Sequence, residues 1–171
     1  MKVLVVYSSR TGNTRRVGEA VAAALSGARL VSVADMPEDV SGYDLVFLGF
    51  WAFRRGADME TRQKAALLRG NKVALYATAG AYPDSEPAMA YLANTAALLD
   101  ESNTYLGGFI CQGRVHSYHE RRRGPHTEEV HPLTPEREAR LEAAESHPDA
   151  ADLARAAEFA KAMAEKAGAA V

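Results

Sequence analysis

Val3-Leu4-Val5-Val6-Tyr7 is a short apolar run that leads directly into Ser8-Ser9-Arg10-Thr11-Gly12-Asn13-Thr14, and a helical pattern follows without a break. A run this short and this apolar reads as a buried strand. It delivers a loop of hydroxyls and one glycine to the start of a helix. The first N–H groups of a helix have no partner inside it and point outward, and the helix dipole there favours negative charge. Ser9, Thr11 and Thr14 add hydroxyl donors. The segment therefore specifies a phosphate pocket for which neither lysine nor arginine is required.

Other phosphate loops fail against this stretch. No Gly-x-x-x-x-Gly-Lys-Ser/Thr run occurs in the chain. A dinucleotide fingerprint needs three spaced glycines, whereas Gly12 is alone in the loop and Gly18 is already inside the helix. A phosphatase loop needs a cysteine nucleophile, and the single cysteine is the distant Cys111. A receiver domain needs acids at the end of the first strand, and Tyr7-Ser8-Ser9 has none. What remains is Ser-x-Thr-Gly-x-Thr, which Ser9-Arg10-Thr11-Gly12-Asn13-Thr14 meets at every specified position. The loop resembles the phosphate loop of the flavodoxin family, where it holds the phosphate of FMN. The alternative is a plain capped helix after a strand, because Ser, Thr and Asn are ordinary capping residues.

The 171 residues suit one domain, 1–171, with 47% apolar and 25% charged residues as in an ordinary globular protein. No apolar run approaches the ~20 residues that span a bilayer, and the N-terminal run is too short for a signal peptide. One cysteine makes no internal disulfide, so a reducing cytoplasm is the expected location. A net charge of −2 suggests neither nucleic acid nor membrane as a partner. It also departs from flavodoxins, which are often strongly acidic, and so argues against docking through one large negative face.

The rest of the chain alternates between strand and helix patterns. Residues 12–26 place Val17, Val21, Ala24 and Leu25 on one helical face, with Gly27 as the stop. Strands are expected at 29–33, 44–49, 72–78 and 105–111. The run 44–49 is nearly all apolar, as a central parallel strand should be. Helices are expected at 58–68, at 85–100 with Met89, Leu92, Ala96 and Leu99 inward, and at 149–167 with Leu153, Ala156, Ala160, Met163 and Ala167 inward. Asp149 and Asp152 have the spacing of a capping box. Five strands alternating with helices imply an α/β, doubly wound parallel sheet with right-handed crossovers and helices on both faces. For flavodoxin-like sheets the resemblance implies the strand order 2-1-3-4-5.

In such sheets ligands bind at the carboxyl ends of the strands, beside the switch point. Two further loops are then drawn to the site. The loop after strand three, Gly49 to Gly56, carries the one tryptophan, Trp51, with Phe50, Ala52 and Phe53. The loop after strand four is Thr78-Ala79-Gly80-Ala81-Tyr82-Pro83. Aromatic faces shield a flat flavin ring, and small residues let backbone amides approach its polar edge. Within the family these loops grip the flavin. Trp51 and Tyr82 are the expected stacking pair, with Phe50 and Phe53 in reserve, because alternation does not tell which ring faces the ligand. The cofactor-binding set is thus Ser8, Ser9, Arg10, Thr11, Gly12, Asn13, Thr14, Phe50, Trp51, Ala52, Thr78, Ala79, Gly80, Ala81 and Tyr82. Arg54 and Arg55 either bring positive charge to the flavin or point to water.

Gln112 to His147 is an extended segment between the fifth strand and the last helix, far longer than an ordinary connection. It holds all five histidines, His116, His119, His126, His131 and His147, and the triplet Arg121-Arg122-Arg123. The spacings match no zinc pattern, so no metal is expected. Thr134-Pro135-Glu136 reads as a helix start, with that helix running through Glu145. The run 114–130 reads as a cover or docking surface, or as a solvated loop.

Cys111-Gln112-Gly113, the Gly-Phe-Trp and Gly-Ala-Tyr-Pro-Asp-Ser loops and His131-Pro132-Leu133-Thr134-Pro135-Glu136-Arg137 together resemble one subgroup of flavodoxin-like proteins from anaerobic bacteria. Its members include the flavodoxin-like partner of bilirubin reductases. The resemblance implies an FMN-binding electron-transfer flavoprotein that passes electrons to a partner protein, a flavin or Fe-S reductase such as a bilirubin reductase. An FMN-dependent NAD(P)H or quinone oxidoreductase and a flavodoxin-like module without cofactor stand as alternatives, so enzyme status is left open.

Overall fold

The computed structural model describes residues 1–115 and 134–169. His116, His119, His126, His131, Arg121-Arg122-Arg123 and most of the expected cover lie outside the described residues.

The elements alternate as the patterning requires: β1 Val3–Tyr7, α1 Asn13–Ala23, β2 Arg29–Ser32, β3 Leu45–Phe53, β4 Gly56–Ala57, α2 Met59–Leu67, β5 Lys72–Ala79, α3 Glu86–Ala96, β6 Thr104–Gln112, α4 Pro135–Ala143 and α5 Ala150–Ala169. Five strands pair in the order β2-β1-β3-β5-β6, and β4 folds back on β3. The four pairings along this path are parallel, from Leu4 opposite Arg29 to Ala79 opposite Gln112. This is the doubly wound order expected from the resemblance.

Burial of both faces explains the unbroken apolar strands. One face packs Leu4, Val6, Val46, Leu48, Phe50, Leu75 and Ala77 against α2 and α3 residues such as Ala65, Ala88 and Leu92. The other packs Val3, Val5, Leu45, Phe47, Ala74 and Tyr76 against Val17 and Val21 of α1 and Ala156, Ala160 and Met163 of α5. Tyr76 keys α1 to the sheet. It is fully buried, and its hydroxyl donates to the Val6 carbonyl at 2.8 Å. The ring occupies space left by two glycines. A Cβ on Gly49 would lie 2.0 Å from the ring carbon Cζ, and one on Gly18 would lie 2.5 Å from the hydroxyl. The glycine inside α1 therefore serves packing.

Three local expectations are corrected. Met89 is exposed, since α3 turns Leu92 and Ala88 to the core instead. β3 does not end at Gly49 but continues to Phe53, and the expected loop is a hairpin in which Ala52 pairs with Ala57 and Phe53 with Gly56. The helix after Thr134 gives way to a short 3₁₀ turn at Ala144–Ser146. At the start of α5 the capping box forms with aspartates at both positions. Asp152 N–H donates to Asp149 Oδ1 at 2.8 Å, and Asp149 N–H donates to Asp152 Oδ2 at 2.9 Å.

Candidate functional site

The carboxyl ends of β1, β3, β5 and β6 converge on a cleft of about 360 Å³, lined by Arg10, Thr11, Asn13, Thr14, Trp51, Ala52, Thr78, Ala79, Gly80, Gly113, Arg114 and Val115. Nine of these twelve belong to the set expected from sequence. Gly12 precedes α1 with φ 94°, a left-handed turn that glycine adopts without strain. It folds the loop back, and Ser9 Oγ accepts from Gly12 N–H at 3.1 Å. Among the described residues, no side-chain hydrogen bond caps α1 at Gly12, and no acid stands in its first turn. Its leading N–H groups are thus left for an anion, without a carboxylate in competition. Thr14 and Thr78 are both buried, and their hydroxyls share a hydrogen bond at 2.9 Å that ties the phosphate loop to β5.

The remaining expected residues lie around this cleft. Ser8 is buried beneath the loop, and its N–H donates to Gly49 O at 2.9 Å. Ala81 is buried, while Tyr82 stands 43% exposed and outside the cleft lining. Phe50 is fully buried in the core beside Leu48 and Ala77. Strand alternation turns Phe50 inward, which sends Trp51 to the cleft. The Trp51 and Phe53 rings lie 5.3 Å apart at 53°, and the Arg10 guanidinium sits 5.9 Å from the Trp51 ring centre.

Arg54 and Arg55 are carried past the cleft to the hairpin turn, with φ of 43° and 68°. Arg54 lies over Phe53 at 5.2 Å, and neither arginine lines the cleft. Among the described residues, the charges that do line it are Arg10 and Arg114. Sequence reasoning missed Gly113, Arg114 and Val115. They follow β6, the fifth strand of the main path, and the convergence of strand ends was the signal that could have found them. Gly80 leaves room for Val115, since a Cβ there would approach Val115 Cγ2 to 2.7 Å.

Among the described residues, His147, Asp149 and Asp152 gather ligand-type atoms within 4.8 Å of one another. Their polar atoms bond mainly to one another. Asp152 is buried and takes the Asp149 N–H, His147 Nδ1 and the Arg155 guanidinium, which together cap the start of α5. Cys111 is buried at the end of β6, and burial, then the Asp152 charge, pushes its thiol far above the ordinary range.

An uncapped helix start, a hydroxyl-rich loop and a neighbouring aromatic wall meet at the strand ends of a doubly wound sheet. The flavodoxin domain model matches residues 4–161, and the chain belongs to the flavodoxin family. The flavodoxin-like domain-containing protein BilS of Clostridioides difficile (strain CD3) is 29% identical over 173 residues, covering 95% of this chain and 96% of that protein. Oxidised flavodoxin 2 from Bacillus cereus superposes with a TM-score of 0.64 at 18% identity, over 97% of this chain and 99% of the other. A flavoprotein from Lactobacillus acidophilus NCFM, solved in complex with FMN, gives 0.51 at 16% identity, over 64% and 92%. FMN is the cofactor of the family, and a cleft of this volume beside free helix N–H groups fits it. Among the described residues, no helix is long and apolar enough to cross a membrane.

Proposed function

We propose that this protein is an FMN electron carrier that serves a partner reductase in the cytoplasm. One observation carries the reading: the uncapped start of α1 opens into the same cleft as Trp51. A phosphate site and an aromatic wall would then stand at the two ends of one ligand. Thr11, Asn13 and Thr14 would hold the phosphate. Trp51 would cover one face of the ring. Tyr82, exposed on the turn after β5, would close over the other. Thr78, Ala79 and Gly80 would bring main-chain groups to the ring edge. When bound, the flavin supplies the redox chemistry, and the protein binds and orients it and limits its contact with water. The cleft side chains are of binding type, hydroxyl, amide, guanidinium, aromatic and small, which favours a carrier over a self-contained reductase.

The subgroup resemblance implies a flavin or Fe-S reductase, such as a bilirubin reductase, as the acceptor. The full-length likeness to a flavodoxin-like domain-containing protein supports that direction. The test is to load the protein with FMN and mix it anaerobically with NADH or NADPH. A carrier stays yellow until a partner reductase or chemical reductant is added. Rapid bleaching by the nicotinamide alone would establish the oxidoreductase alternative instead. Protein that stays colourless after incubation with FMN, with no rise in melting temperature, would leave a module without cofactor.

A further inference from the structure

An FMN phosphate brings ~1.5–2 negative charges to α1, as other phosphate monoesters do near neutral pH. Of the arginines of the phosphate loop and first helical turn, Arg10 and Arg15 lie over aromatic rings, and Arg16 faces outward from the helix. Arg10 lies over Trp51 at 5.9 Å. Arg15 pairs with Glu19 at 2.9 Å and lies 6.0 Å from the Tyr7 ring. Arg114 approaches from the opposite side, at the end of β6. It lines the flavin cleft and also a second recess of about 370 Å³ outside the first turn of α1. The two recesses meet at Thr11, Asn13 and Arg114. Arg16 lines the outer recess only.

The main chain of Arg114 is fixed at both polar atoms. Its carbonyl accepts from Asn13 Nδ2 at 3.0 Å, and its N–H donates to the His147 carbonyl at 2.9 Å. The Arg114 side chain is 47% exposed, and its carboxylate neighbour Glu145 is 3.9 Å away, a contact too long and too wet to hold it firmly. A cation anchored by its backbone, weakly held at its head and bordering the helix start is well placed to pair with a phosphate.

We propose that Arg114 is the cation that reads the FMN phosphate, brought to the phosphate loop by the end of β6. The assignment rests on the FMN reading above. The Arg114 N–H bond to the His147 carbonyl fixes this position between the end of β6 and the start of α5. The test compares dissociation constants of FMN and riboflavin on the apoprotein, by quenching of flavin fluorescence, for wild type, Arg114→Gln, Arg114→Lys and Thr11→Ala. Arg114→Gln is expected to weaken FMN about tenfold or more while leaving riboflavin within about twofold. Its FMN affinity should also depend less steeply on salt, and Arg114→Lys should restore part of the loss. An unchanged FMN-to-riboflavin ratio in Arg114→Gln, or equal losses for both ligands, overturns the assignment. A wild-type protein that binds the two ligands equally overturns the phosphate-loop reading itself, and Thr11→Ala would then leave their ratio unchanged as well.

Discussion

A single position decides which ring can face the cleft. Phe50 and Trp51 are adjacent on β3, so the pleat sends them to opposite faces. Phe50 is fully buried in the core, and Trp51 lines the cleft. Because Trp51 is the one tryptophan, its emission reports the site directly. Titration of the apoprotein with FMN should quench most of that emission. Trp51→Ala should weaken FMN by about 1–2 kcal/mol, roughly tenfold. Phe50→Leu should instead lower stability by about 1 kcal/mol and leave FMN affinity unchanged. Emission that stays constant on FMN binding would remove Trp51 from the ring site. The sequence could name both rings as candidates but could not choose between them. Period-two alternation shows that neighbours differ in face, and it does not show which face meets the ligand.

At the scale of elements, the hairpin after β3 is where local signals misled. A two-residue hairpin turn with positive φ at both positions normally advertises itself through Asn or Gly. Here Arg54 and Arg55 occupy those positions, so the strand looked finished at Gly49. The conformation is strained for side-chain-bearing residues and has to be held from outside. Arg62 of α2 does this. Its Nε donates to Ala57 O at 2.6 Å, and its Nη2 donates to Phe53 O and Arg54 O, each at 3.0 Å. Asn94 of α3 adds a bond to Arg55 O at 2.7 Å. Arg62→Ala should therefore cost about 2–3 kcal/mol, from three bonds at ~1 kcal/mol each. Arg62→Lys should recover little, because an ammonium cannot span the three carbonyls. Urea midpoints of the apoproteins measure both, and a loss below about 0.5 kcal/mol would show that the hairpin holds its own shape. The capping box of α5, by contrast, was legible from spacing alone, because its two aspartates are only three residues apart.

Across the whole molecule, the strand order came from the family resemblance, whereas the layering was readable because parallel strands buried on both faces leave unbroken apolar runs. The meeting of Arg114 with Asn13 and His147 was not, since it joins residues far apart in sequence through main-chain atoms that carry no side-chain signature. The same two-sided burial has a consequence in alkali. Cys111 and Tyr76 are sealed against the α1 and α5 layer. Burial raises the thiol above its ordinary 9.0, helped by the Asp152 charge, and raises the phenol well above its ordinary 10.0, helped by Tyr7. Each group holds its proton more tightly in the native state than in the unfolded one. The stability this contributes is fully present below the unfolded values and is lost as pH climbs beyond them. Unfolding should therefore become easier from about pH 9 upward, by about 1.4 kcal/mol per pH unit for each group that ionises only in the unfolded chain. Cys111→Ala separates the two contributions, because the phenol begins to act one unit higher. Between pH 8 and pH 10 the wild-type apoprotein should lose about 1.4 kcal/mol more than the variant, measured by urea unfolding at both pH values. Identical losses in the two proteins would mean that the Cys111 thiol already ionises within the folded sheet.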